Sequence, residues 1–444
     1  MAYNFIEYEQ NQMFLLPVSI LDWVKEDSLA YFISDAINTF YEKGDLEVFF
    51  NKYNKKGVGA SAYHPVMMLK ILVFAYCSGI TSSRVIAKKL ENDVEMRYIA
   101  ANAQPDFRTI SDFRKNIIAE LSELFTKVLC MCSEAKMIKL GKVSIDGTKI
   151  QANASLASNR TKEGIEKEVA EMLKKAEETD KIEDEKYGVE NRGDELPQNM
   201  RKHEDRKKRL SEAYDRLKQK EEQEKKKKKS KKESVKKTSK KVAGKEKDKT
   251  PKACITDPES RIMKTAKGYI QAYNAQLAVD VKNQIIVACK VTNHENDTQQ
   301  LNSMVEECKK QNGKYPKVTI ADAGYWQPKI VEKCKKNTDL HVCTKKSWKQ
   351  RQEQRKDGFW PCGRIPEGLS LKEAMERKLL TKKGSEIYKL RGQTVEPVIG
   401  QIKTRGCKNF SMRRQENANG EWNLWCLTHN LIKLWKNSIK NKKK

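Results

Sequence analysis

Apolar residues recur at helical spacing from the N-terminus to about residue 135. Pro65 can open a helix carrying Met68, Leu69, Leu72, Val73 and Tyr76, and Gly79 can end it. "TSSRVIAKKL" follows, with Ser82 or Ser83 as N-cap and Val85, Ile86 and Leu90 behind it. "PDFRTISDFRKNI" repeats the layout, with Thr109 or Ser111 as cap. The period then changes to two. In "KVSIDGTKI" (142–150) Val143 and Ile145 alternate with Ser144, and the strand ends on Asp146 and Gly147. "GYIQAYNAQLAVD" (268–280) alternates as well, and a hairpin-length connection leads to "QIIVACKVTN" (284–293). Helical spacing returns at Leu301, Met304, Val305 and Cys308, before "KVTIADAGYW" (317–326) brings a second strand to a carboxylate, Asp322. "YKLRGQTVEPVIGQIKTRG" (388–406) predicts a helix bearing Glu396 with Pro397 in its first turn. Trp422, Trp425, Ile432 and Trp435 predict an amphipathic closing helix. Strand, insertion, strand, strand, helix, strand is the order of a mixed α/β sheet, not of an alternating dinucleotide-binding chain.

One segment follows neither period. From Thr161 to about Thr250 the chain is charged and nearly free of aromatics. Ile165, Val169, Met172 and Leu173, then Leu210, Ala213, Tyr214 and Leu217, keep helical spacing on either side of the breaker-rich "YGVENRGDELPQNM". This predicts an inserted helical arm. Its end, 220–252, holds 16 Lys against 6 acidic residues and is expected to stay solvated and disordered. The expected divisions are 1–135, a helical domain; 140–160, the first core strand; 161–252, the insertion; and 253–444, the remaining core with the closing helix.

Charge narrows the class of partner. With 88 Lys+Arg against 60 Asp+Glu the 444-residue chain carries +28, which favours a polyanion such as nucleic acid. Arg84, Lys88, Lys89, Arg108, Arg114 and Lys115 lie on the paired short helices, as in a helix-turn-helix; a plain helical bundle with a solvated basic face has the same pattern. The 11 Cys are scattered, without a Cys-x-x-Cys frame, which argues against structural zinc and for a reducing compartment. There is no signal-peptide layout, and the longest apolar run, "HPVMMLKILVFAYCSGI", is too short to span a bilayer. A soluble, intracellular protein is expected.

No Walker loop, dinucleotide fingerprint or nucleophile elbow is present, and the five histidines lack the surroundings of a catalytic base. The carboxylates are the better candidates. Asp146 and Asp322 end two strands, and Glu396 follows on a helix; by residue type alone Glu386 and Glu367 compete for the third place. Three carboxylates at one sheet edge repel one another unless a cation lies between them. An all-oxygen set suits Mg²⁺, with Mn²⁺ able to substitute. Such a site serves in-line phosphoryl transfer. Tyr325 and Trp326 could stack on an unpaired base, although core packing suits Trp326 equally.

The stretches "HPVMMLKILVFAYCSGITSSRVIAKKL", "PDFRTISDFR", "VSIDGTKIQANAS", "TDPESRIMKTAKGYIQAYNAQLAVD", "TIADAGYW", "VEPVIGQIKTRG" and "EWNLWCLTHNLIKL" together resemble bacterial insertion-sequence transposases of the DDE type, in the groups with a Tyr-Arg-Glu-Lys signature. They run in order through nearly all the chain outside the charged arm. The resemblance implies an RNase H-like mixed-sheet catalytic core with an N-terminal all-helical DNA-binding domain. It implies Asp146, Asp322 and Glu396 as catalytic and metal-binding residues. Tyr388, Arg391 and Lys403 fall on the signature, although Arg391 stands one residue further from Glu396 than the usual spacing. It also implies double-stranded DNA partners (inverted repeats and target), a homodimer on paired ends and a bacterial cytoplasmic, nucleoid-associated location. A domesticated DNA-binding protein, or a nuclease without strand joining, would share the fold.

Overall fold

The computed structural model describes residues 19–53, 61–171, 174, 208–219, 222, 251–266, 268–344 and 361–442. The chain divides into two compact units: Met1–Ile138 with Leu424–Lys444, and Lys139–Asn423. The closing helix, Gln415–Lys442, therefore contributes its first residues to the second unit and the rest to the first, where the sequence reading gave it whole to the core.

The first unit is helical among its described residues. Its central helix, Pro65–Cys77, is buried along almost its full length, and Tyr76 packs on Trp425 at 5.0 Å between ring centroids. Ser83–Asn92, Val94–Ile99 and Phe107–Asn116 follow. The third of these is capped by neither Thr109 nor Ser111. Asp106 does it, accepting the Thr109 N–H at 2.7 Å, because the helix starts one turn earlier than the apolar spacing suggests. No described helix is long and apolar enough to cross a membrane.

The second unit is built on a mixed six-stranded sheet. Its strands are β1 (Lys142–Gln151), β4 (Arg261–Thr265), β5 (Gly268–Asp280), β6 (Ile286–Thr292), β7 (Val318–Ala321) and β8 (Asp339–Val342), while β2 (Asn159–Arg160) and β3 (Ala253–Cys254) pair separately. The order β4-β5-β1-β7-β8 has β6 on the same long β5, with β1–β5 antiparallel and β1–β7–β8 parallel. Buried Asp280 ties the β5–β6 turn to the start of β1 by accepting from Leu140 N at 2.9 Å and Lys282 N at 2.9 Å.

One expectation about β1 is corrected. The strand does not end at Asp146 but runs to Gln151, because the 13-residue β5 keeps pairing with it. What ends is the pairing on the β7 side, at Ser144↔Ile320.

The helix expected at 388–406 spans Lys382–Arg405, so Pro397 lies well inside it and not in its first turn. Proline deprives the Gln393 carbonyl of its helical donor. The Gln284 side chain supplies one instead, Nε2 to Gln393 O at 3.1 Å. The helix packs against β1, β5, β7 and β8.

The arm enters the described structure only at its base. Helical residues 162–171 and 208–219 share a small core of Ile165, Leu210, Ala213, Leu217 and Ala253. Nearly all of the lysine-rich run at 220–252 lies outside the described residues.

Candidate active site

The parallel register sets the site. Lys142 pairs with Val318 and Ser144 with Ile320, so the same register carried two residues on brings Asp146 level with Asp322. Asp146 is followed by Gly147 within β1 and Asp322 by the turn Ala323–Tyr325, and each uses one oxygen locally. Asp146 Oδ1 accepts the Gly147 N–H at 2.9 Å, and Asp322 Oδ1 accepts the Gly324 N–H at 2.8 Å. The other oxygen of each is left to the site.

Arg391 joins the third carboxylate to the first. Its two terminal nitrogens donate to Asp146 Oδ2 and Glu396 Oε1, each at 2.8 Å. Asp146 is 17% exposed and Glu396 56%, so Glu396 forms the solvent side of the set. Glu386 and Glu367, both exposed, make no described bond to this set.

Burial pushes the Asp146 carboxyl up to about 6; Arg391 opposes the rise, while Asp322 and Asp297 add to it. Asp322 is also raised, first by burial, against the Gly324 hydrogen bond and Arg391. For Arg391 burial works against the charge, yet Asp146, Tyr388 and Glu396 outweigh it and its pKa rises.

The donor chemistry fits a hard divalent cation: buried carboxylates short of positive charge, with an arginine now filling that role. Among the described residues, no three His, Cys, Asp or Glu side chains are grouped closely enough to hold an ion as they stand.

Two sequence expectations fail here on burial. Tyr325 is fully buried and donates its hydroxyl to Gln276, so it has no face to offer a base; Trp326 is half-buried. Arg114 is buried too, donating to Thr81 O at 2.6 Å and Tyr76 Oη at 3.4 Å. It holds two helices of the first unit together and is not placed to meet a phosphate. Arg84, Lys88 and Arg108 are exposed, with Arg84 and Arg108 both over the Phe107 ring, at 5.1 and 5.6 Å. Tyr388 and Lys403 lie on the Arg391–Glu396 helix, both half-buried.

Asp297 is the residue that sequence reasoning passed over. It opens the turn after β6, and its Oδ1 accepts from Asn274 Nδ2 at 2.7 Å and Gln276 Nε2 at 2.6 Å. Gly147 exists to admit this cluster. A Cβ there would stand 2.3 Å from Gln276 Nε2, 2.8 Å from Asp297 Oδ1 and 2.9 Å from Asn274 Oδ1. Gly147→Ala is therefore expected to cost about 1–3 kcal/mol through overpacking. Gly141→Ala, with nothing within 4 Å of its new carbon, is the control. Thermal melts of the two variants check this; equal melting points would show that the cluster yields freely.

Two family models match the chain. "Transposase DDE domain" covers residues 234–431, and "Transposase domain (DUF772)" covers residues 18–116. The first includes Asp322, Arg391 and Glu396 but begins after Asp146, whose link to the site is the strand register. No curated protein and no solved structure matches the chain.

Proposed function

Since the chain belongs to the insertion-sequence transposases of the DDE type, we propose that it binds the terminal inverted repeats of its own element, cuts the DNA there and joins the freed ends to target DNA. A DDE domain implies an RNase H-like core, with which the mixed sheet agrees. The observation that carries the reading is the convergence of Asp146, Arg391 and Glu396, with Asp322 directly past the end of the neighbouring strand β7.

Asp146, Asp322 and Glu396 would hold the divalent cation on which this family depends, Mg²⁺ in our reading with Mn²⁺ as substitute. When bound, it supplies the Lewis acidity that activates an attacking oxygen and steadies the leaving one. The chain's own residues do the rest. The Gly147 and Gly324 amides fix one oxygen of each aspartate, so the other keeps its direction. Arg391 neutralises the carboxylates and lies within reach of a phosphate at Glu396. Lys403, seven residues and two turns beyond Glu396, extends the basic lining along the helix. Water is the first nucleophile, giving a 3′-hydroxyl, and that hydroxyl is the second.

The N-terminal helical region, expected over 1–135, supplies recognition of the ends in this reading, and a homodimer pairs them. The test uses DNA from the borders of the element that encodes the chain. Purified protein with Mg²⁺ should nick end DNA and not a shuffled sequence, and chelator should stop it. Cleavage without joining would favour a plain nuclease, and specific binding without cleavage a domesticated binder.

A further inference from the structure

Asp297 is more than a packing residue of the β6 exit. Its Oδ1 is committed twice over, to Asn274 and Gln276, and Gln276 is held in turn by the buried Tyr325 hydroxyl. Asn274 is fixed as well, donating to the His294 carbonyl at 3.2 Å. The anchor is thus rigid on one oxygen. Among the described residues no hydrogen bond reaches Oδ2.

That free oxygen lies on the Gly324 side. A Cβ built on Gly324 would lie 3.0 Å from Asp322 Oδ1 and 3.6 Å from Asp297 Oδ2, so the two carboxylates flank one point. The glycine after Asp146 has Asp297 on its other side, at 2.8 Å from the equivalent position. Asp297 stands beside both Gly147, within β1 after Asp146, and Gly324, in the turn that Asp322 opens. Asp322 and Asp297 both add their charge to that of the Asp146 carboxyl, a grouping of like charges that a cation relieves.

We propose that Asp297 is a fourth carboxylate of the cation site, offering Oδ2 as a ligand beside Asp322 while Oδ1 holds it in place. The inference rests on the divalent-cation chemistry proposed above. A fourth oxygen adds a ligand less exposed than Glu396 and ties ion uptake to the β5 amide cluster.

Asp297→Asn separates the roles, because the amide oxygen still accepts from Asn274 and Gln276 while the free charged oxygen is lost. Mn²⁺ is titrated into the full-length protein, free of DNA, by calorimetry and by the loss of its free-ion spin signal, with Asp146→Asn marking the site. Asp297→Asn is expected to weaken Mn²⁺ binding about tenfold or more, with its metal-free melting point unchanged. Asn274→Ala loosens the anchor without removing charge, and is expected to keep most of the affinity. Wild-type affinity in Asp297→Asn overturns the inference and leaves the cation site standing. Equal losses in Asp297→Asn and Asn274→Ala also overturn it, reducing Asp297 to a positioning residue. A wild-type protein that takes up no Mn²⁺ at the Asp146-dependent site overturns the cation reading itself.

Discussion

Asp146→Asn is expected to lower cleavage of end DNA by about 10³-fold or more, the scale of losing about 4 kcal/mol of transition-state stabilisation. Asp322→Asn and Glu396→Gln should do the same, while binding of DNA survives because lysine and arginine contacts to phosphate supply most of it. The variant also has a stability signature. The carboxyl of Asp146 is pushed up to about 6, chiefly by burial. Between the ordinary aspartate value and about 6, the folded chain holds a proton that the unfolded chain has released. Stability therefore falls as pH rises through that window and stays reduced above it. Asparagine carries no such charge. Metal-free Asp146→Asn should therefore be more stable than wild type at pH 7.5, by about 1–3 kcal/mol, with the difference fading towards pH 4. Cleavage assays and pH-resolved melts check both halves. Wild-type cutting by Asp146→Asn would remove the residue from the site, and a lower melting point at pH 7.5 would show that its pairing with Arg391 outweighs burial. If Glu396→Gln alone stays active, the third carboxylate lies elsewhere on the chain, with Glu386 the next to test.

How far the sequence foretold the site depends on the range of each interaction. Strand β5 was legible because its alternation is local and its ends, Gly268 and Asp280, are themselves turn residues. Asp146 and Asp322 were legible because each follows a short alternating apolar run and shortly precedes a glycine. Strand β8 was not, since four residues of "DLHV" carry no period and owe their place to β7. Pro397 misled because its cost is met from far along the chain, by Gln284. Asp297 gives no local sign in "NHEND"; only the folding of β1, β5 and the Asp322 turn around it brings it to the aspartates. Arg114 was legible in principle: with Ile110 and Phe113 it completes the buried stripe of its helix, while Arg108 falls outside it.

That stripe decides the last expected result, a division among the basic residues of the first unit. Arg84, Val85, Lys88, Lys89, Asn92 and Asp93 line one shallow groove along Ser83–Asn92, and Arg108 meets Arg84 across Phe107. Of these basic residues Lys89 is engaged, bonded to Asp93 at 2.9 Å. Arg84, Lys88 and Arg108 are exposed and have their charge to give to phosphates. Reversing all three to Glu should weaken binding of end DNA by about 10²-fold or more near 0.1 M salt and reduce the slope of log affinity against log salt by about three. The fold should be kept, since none of the three is buried. Arg114→Ala should do the opposite. It strips the Thr81 carbonyl and the Tyr76 hydroxyl of a buried donor, costing about 1–3 kcal/mol of stability, yet the protein that remains folded should bind DNA with the wild-type salt slope. Anisotropy titrations at several salt concentrations, paired with melts, separate the two. A triple variant with an unchanged slope would make this face plain solvated surface, and a shallower slope in Arg114→Ala would return that residue to the DNA interface.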